Sequence, residues 1–329
     1  MNFNIQRHAD SGYLKDNLTG FVPKVQSDDI IKAAVRGSSI LRLSRVEVMT
    51  SDNKTFPLMT DGPGAYWVAE AGRIQTGTAQ WAFPEMVARK IAVIVPVTNE
   101  KMNDTSINVF EEVKTYIAEA FMKTIDQACL FGIRSPFATN VYDAALQNSM
   151  AVQLGTNAKL DLDVADTMAL VEAQGHDVAS FIAGIGFKNS LRKLRDADGN
   201  QLYVNGVTDK GGNTYDTLYS LPIEFSRNGS WDDTKALCIA GDFKHYSVIG
   251  IRDQIQYQIL REATLHSVTM QDGLPLSLAE NDMIGLKVTM RIGFLVVKPQ
   301  AFSLLVPTGA PTSAPASGDD TTSGGGTNP

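Results

Sequence analysis

One segment limits the possible architecture more than any other: "NVFEEVKTYIAEAFMKTIDQACLFG", residues 108 to 132. Apolar residues recur there at Phe110, Val113, Ile117, Phe121, Ile125 and Ala128, in steps of three or four that line one helix face. Asn108 and Glu111 form a capping pair and Gly132 a stop. At ~1.5 Å per residue such a helix is about 35 Å long, enough to be the spine of a domain. Near the other end, Ile284, Leu286, Val288, Met290, Ile292 and Phe294 occupy every second position, which predicts a long strand with one fully apolar face. A long amphipathic helix and a long alternating strand in one chain predict a mixed α+β fold.

Between them, the spacing predicts a helix over 164–174 ended by Gly175, a short strand in "VASFIAG", and a helix over 187–196 with Leu191 and Leu194 inward. The pieces "TLYSLPIEF", "KALCIAGDF", "HYSVIGI" and "QIQYQIL" read as strands separated by turns. Upstream, "SDDIIKAAVRG" suggests a short helix from Ser27 to Gly37, and "ILRLSRVEVM" alternates like a half-buried strand over 40–49. The last residues, "PTGAPTSAPASGDDTTSGGGTNP", contain nothing apolar larger than alanine and are expected to form a flexible tail.

The segment from 46 to 95 reads as a two-stranded excursion crowded with turn formers. Its middle, "YWVAEAGRIQTGTAQWAF", carries Trp67 and Trp81 on a stretch too small and polar to enclose them. An isolated ribbon of two strands is marginal in water, so these indoles need something outside the stretch to cover them.

Known chemistry is hard to place. With 29 basic and 36 acidic residues the chain is net acidic, which argues against a protein whose main surface grips phosphates. Cys129 and Cys238 cannot make a disulfide framework, and no signal-peptide pattern or membrane-length apolar run is present in the sequence, so a reducing cytoplasm is expected. The Asn-x-Ser/Thr triplets at Asn17, Asn53, Asn103 and Asn228 are then chance matches. There is no phosphate-loop motif, "GIGFKN" lacks the third glycine of a dinucleotide fingerprint, and His8, His176, His245 and His266 lack metal-ligand spacing. "LDLDVAD" and "RDADGN" concentrate oxygens without the downstream glutamate of a calcium loop, and their aspartates suit helix starts and turns. Cys129 falls at a helix C-terminus, where the dipole disfavours a thiolate. No catalytic, metal or cofactor residue is nominated.

The segments taken in order, however, resemble a known family. "GFVPKVQSDDIIKAAVRGSSILRL", "AYWVAEAGRIQTGTAQWAFPEMVARKIAVIVPVTNEKMND", the helix ending in "FG", "NSLRKLRDADGNQLY", "LPIEF", "CIAGDFKHYSVIGIRDQIQYQI" and "MRIGFLVVKPQAF" follow one another as in the major capsid proteins of tailed bacteriophages with the Hong Kong 97-type fold. The resemblance runs from about Gly20 to Leu305, and "GDF" at 241–243 and "KPQAF" at 298–302 are its most specific parts. It implies an N-terminal arm (1–45), an extended β-hairpin loop with its return strand (46–95), a peripheral domain with the spine helix (96–135), an axial domain (136–275), the peripheral long strand (276–306) and a C-terminal tail (307–329).

The function so implied is self-assembly, as pentamers and hexamers, into an icosahedral shell around double-stranded phage DNA, in the virion after assembly in the bacterial host cytoplasm. An encapsulin-like compartment sharing the architecture is the alternative. Implied partners are further copies of the chain, a portal protein, decoration proteins, and DNA contacted without sequence specificity; no membrane partner is expected. Many family members begin with a scaffolding segment of about a hundred residues that is later removed. Here the arm starts almost at Met1, so a separate scaffolding protein is expected. Some members join subunits through a lysine–asparagine isopeptide bond; with only Lys54 in the loop before Lys90, and Thr289 and Met290 before Arg291 where acidic residues would be, no such crosslink is expected. The intersubunit contact candidates are Trp67, Glu70, Arg73 and Trp81.

Overall fold

A computed structural model describes residues 37–68, 70, 73, 76–99, 109–157, 159–195, 199–208, 214–269 and 275–314. The helix expected from Ser27, the Asn108 cap and the centre of the "DADGN" turn lie outside them.

The long helix forms as its periodicity dictates, over Val109–Phe131, and Gly132 ends it with φ +67°. Ile117, Phe121, Ile125 and Ala128 are buried, as the stripe requires. Towards the C-terminal end burial spreads around the whole helix, taking in Asp126, Cys129, Leu130 and Phe131. The long strand is also present, Met283–Val296, with Leu286, Val288, Met290, Ile292 and Phe294 buried on the expected face. Helix and strand share one core cluster.

That strand is central in a four-stranded sheet ordered Arg45–Val48, Ser247–Leu260, Met283–Val296, Arg89–Thr98. The first pairing is parallel and the other two antiparallel. A seven-stranded sheet lies beside it, ordered Ala151–Gln153, Phe302–Val306, Cys238–Gly241, Ser180–Gly184, Leu221–Ser226, Thr214–Leu218, Tyr203–Thr208. Its three strands Phe302–Val306, Cys238–Gly241 and Ser180–Gly184 are buried at every position; helices Val141–Gln147 and Leu160–Ala173 pack on Phe302–Val306, the second also on Cys238–Gly241.

Two of the chain's passages between the sheets run side by side. One is the helical turn Phe243–Tyr246 and the other the turn Pro299–Ala301, joined where Val297 N donates to Tyr246 O (2.8 Å) and Asp242 N to Ala301 O (3.3 Å). Here "GDF" meets "KPQAF". A Cβ on Gly241 would stand 2.5 Å from Ala301 O, Asp242 caps the helical turn by accepting from His245 N (3.1 Å), and the Phe243 and Phe302 rings sit 5.0 Å apart. Gly241, Asp242, Phe243, Ala301 and Phe302 thus each have a structural reason at this crossing.

Several sequence expectations need correction. Residues Ser39–Leu43 form a short helix, not the first half of a strand, because the Ser38 hydroxyl accepts from Leu41 N (3.2 Å) and Asp126 receives Ser39 N and Ile40 N. Only Arg45–Val48 joins the sheet. "TLYSLPIEF" is a hairpin: Tyr219 and Ser220 both take positive φ (51° and 66°), and Leu218 pairs with Leu221 across them. A Tyr-Ser pair is an unusual occupant of such a turn, where Asn-Gly is favoured, and Tyr219 is held by donating its hydroxyl to Asp161 O (2.9 Å). "SVIGI" and "QIQYQIL" are one strand, Ser247–Leu260, whose polar middle is absorbed by register shifts between Ile251 and Gln256. The helix expected from 164 begins at Leu160, and the one at 187–196 shortens to Lys188–Arg192 behind a 3-10 turn, still with Leu191 and Leu194 buried. The start of the tail is tied down: Thr308 Oγ1 donates to Leu154 O (2.8 Å), Ala314 N to Leu146 O (3.1 Å), and Ala310 packs on the core.

Candidate functional site

The excursion is a two-stranded ribbon. Near its root Asn53–Thr55 pairs with Glu85–Val87, and further out Leu58–Asp61 pairs with Gln80–Ala82. The root is plugged into the four-stranded sheet. Gly250 and Gly293 face each other across neighbouring strands, and the hole left by their missing side chains receives Met49 and Met86. A Cβ on Gly250 would lie 2.4 Å from both Met49 Sδ and Met86 Cε, and one on Gly293 2.8 Å from Met86 Cγ. Both methionines are buried and, with Val248 and Leu295, form a small second core against which Phe56 packs. Glycine inside a strand often marks such a close approach.

Charges brace the same root. Asp52 pairs with Arg252, and also meets Arg291 (3.4 Å), whose Nε lies 3.4 Å from Asp253. Glu47 pairs with Lys54 and Arg45; the hydrogen bond from Lys54, with help from Arg45, holds its carboxyl below the ordinary value against the opposing effect of burial.

Beyond the root the described residues of the ribbon form no core. Met59 stands opposite Trp81, and the side chains of Tyr66, Trp67, Trp81 and Phe83 are exposed, Trp67 completely. Gly77 is required where the strands converge, since its Cβ would lie 2.9 Å from Pro63 Cβ. All four predicted contact residues therefore sit on the outer ribbon. Trp67, Glu70 and Arg73 are exposed towards its tip and Trp81 is half-exposed on its returning strand. Among the described residues neither Glu70 nor Arg73 has an ion-pair partner, and the structure brings neither tryptophan into the protein's own core.

A second arrangement was not anticipated from the sequence. Asp126, fully buried on the long helix, accepts Ser38 Oγ (2.5 Å), Ser39 N (3.2 Å), Ile40 N (3.4 Å) and Asn228 Nδ2 (2.7 Å). It fastens the end of the N-terminal arm to the spine. Burial pushes its pKa up despite these donors. A lone aspartate within an apolar helix stripe was the available signal.

The acidic "LDLDVAD" cluster does local work: Asp163 accepts Gly155 N (2.8 Å) and Asn157 N (2.8 Å), and Asp166 accepts Asn157 Nδ2 (2.7 Å). Burial raises both thiols, Cys238 to about 12, against thiolate formation. Among the described residues no helix is long and apolar enough to cross a membrane.

Comparison with known proteins agrees with this geometry. The model of the phage capsid family matches residues 19–306. The major capsid protein of Staphylococcus phage 80alpha is 31% identical over 279 residues, covering 84% of this chain and 82% of that one. Among solved structures, a chain of Microbacterium phage Oxtober96 superposes with a TM-score of 0.71 at 27% identity, covering 82% of this chain and 91% of that chain. One of Mycobacterium phage Bobi gives 0.68 at 26% identity, covering 83% and 91%.

Proposed function

This chain belongs to the phage capsid family, and from that premise we propose that its ribbon is the assembly arm, laid over the next copy so that Trp67 and Trp81 are buried between subunits. The protein is a phage major capsid protein with the Hong Kong 97-type fold, and its role is structural. The observation that carries the proposal is the run of exposed aromatics on a ribbon whose described residues form no core. Burying one indole removes roughly 200 Å² of surface, worth about 5 kcal/mol before the entropic cost of association. Few soluble monomers would leave such a row uncovered.

In this reading the seven-stranded sheet and its helices are the axial domain, and the four-stranded sheet with the long helix is the peripheral domain. The axial span expected at 136–275 lends Ser247–Leu260 to the peripheral sheet, and the chain re-enters the axial sheet at Phe302–Val306. Copies associate as pentamers and hexamers that close into an icosahedral shell around double-stranded DNA. A net charge of -7 suits a container that touches its DNA without gripping it. A separate scaffolding protein, a portal and decoration proteins are the further partners, assembly takes place in the bacterial host cytoplasm, and no covalent crosslink joins the subunits.

Electron microscopy tests the proposal. The chain expressed with its scaffolding partner is expected to form shells, and Trp67→Ala or Trp81→Ala to give folded subunits that do not. Normal shells from both variants would overturn it, as would equal loss of folding and assembly.

A further inference from the structure

Accepting that the ribbon reaches a neighbouring copy, the question is where it lands. At the root of the ribbon, where the strand Arg89–Thr98 begins beside the C-terminal part of the long helix, the surface holds a cleft of about 240 Å³. Its floor is apolar, with Ile91, Phe137 and Ile292. Its rim is cationic: Arg89, Lys90 and Arg134 are all exposed, and none has an acidic partner among the described residues. Arg134 holds a left-handed backbone (φ 51°) just after the helix stop, a costly conformation for a side chain of its size and one that recurs at functional sites.

Trp67 and Glu70 at the ribbon tip have the complementary chemistry; Arg73, exposed three residues further on, is itself a cation and takes no part in it. Trp67 is completely exposed, and Glu70, three residues on, is an exposed carboxylate without a partner among the described residues. An indole suits an apolar floor edged by guanidinium groups, which also favour its π face, and a carboxylate beside it suits the cations. The tip cannot serve its own cleft without folding back. The paired strands run outward from Asn53 to Asp61, roughly 25–30 Å at the rise of an extended strand, and the tip lies beyond them. Tip and cleft are therefore two different patches of one chain. Joining one copy's tip to the next copy's cleft is a head-to-tail contact, the type that closes into rings.

We propose that Trp67 and Glu70 of one copy dock in the Arg89, Lys90 and Arg134 cleft of the next, and that this contact propagates the capsomer ring. Charge reversal tests it in the full chain, expressed with its scaffolding partner. Glu70→Lys alone and Arg134→Glu alone are each expected to cut shell yield about tenfold or more, and the double variant to recover it to within about threefold. A chain carrying Glu70→Cys and Lys90→Cys should give intersubunit disulfides in oxidised particles, since Cys129 and Cys238 are buried. If neither rescue nor disulfide appears while Trp67→Ala still blocks assembly, the landing site is wrong and the ribbon reading stands. If Trp67→Ala, Trp81→Ala and Glu70→Lys all assemble normally, the two fail together. Normal shells from Arg134→Glu that retain less DNA would assign the cleft to nucleic acid and overturn the proposal.

Discussion

The seating of the ribbon gives a sharp test, through Gly293→Ala. In an ordinary strand this change stabilises, because alanine has less backbone entropy to lose, by about 0.5–1 kcal/mol. Here the added methyl would stand 2.8 Å from Met86 Cγ and 3.2 Å from Val87 O, both too close. Met86 is fully buried, so its Cγ has no open space to rotate into unless the neighbouring side chains or the strand Glu85–Val87 move. Overpacking of this kind costs about 1–3 kcal/mol, so a net loss of about 1–2 kcal/mol is expected, and more for Gly293→Val. Urea unfolding of the unassembled subunit reads the global effect. Hydrogen exchange at residues 53–55 and 85–87 reads the local one, because the ribbon root should open before the sheet does. Adding Met86→Ala, which removes the offending Cγ–Sδ–Cε end, should cost less in the Gly293→Val background than in the parent. If Gly293→Ala is as stable as the parent and its root exchanges no faster, the two-glycine socket does not hold the ribbon and the reasoning fails.

Three further tests address other parts of the fold. Trp67→Ala should leave the unfolding midpoint of the unassembled subunit within about 0.5 kcal/mol of the parent, as for a surface change, while shell formation collapses. Asp126→Asn keeps the shape but turns an amide NH₂ towards donors, leaving one or more unsatisfied; a loss of about 1–3 kcal/mol at neutral pH is expected by denaturant titration. Because burial raises the Asp126 pKa above its ordinary 3.8, the folded state holds this proton where the unfolded chain has released it. Its contribution therefore falls as pH rises above about 4 and levels off above the folded pKa, and Asp126→Asn should remove that part of the pH slope. Ser220→Gly should raise stability by about 1 kcal/mol, since its φ of 66° suits glycine, and an unchanged or lower midpoint would contradict the turn geometry.

Much of the fold was legible because it depends on local periodicity. The helix stripe from Val113 to Ala128 and the alternation from Leu286 to Phe294 each write their buried face directly into residue spacing, and Gly132 and Gly175 sit at positive φ where a stop was expected. What failed had a nonlocal cause. Ser39–Leu43 alternates like a strand but is wound into a helix by the carboxylate of Asp126, 86 to 88 residues away. Tyr219 and Ser220 lack the usual turn signature, and the turn is held partly by a carbonyl of another helix. The first eight residues of the tail have a loop composition, yet Thr308 and Ala314 find acceptors on the axial unit.

The candidate site divides in the same way. That Trp67 and Trp81 lacked a core was evident from the small and polar residues between them, because burial requires apolar neighbours and the ribbon supplies few. Where the ribbon is anchored, and what faces its tip, was not. The socket needs Gly250 opposite Gly293 and the cleft needs Arg89 and Lys90 beside Arg134, pairs set by sheet register and by helix placement. By itself the sequence determined the secondary structure of the long elements and the unsatisfied apolar surface, since both follow from composition and spacing within one segment. Only the tertiary structure decided which distant glycines make a hole, which carboxylate winds a helix and which cations lack an acidic partner among the described residues, because those depend on distances between segments that no local pattern encodes.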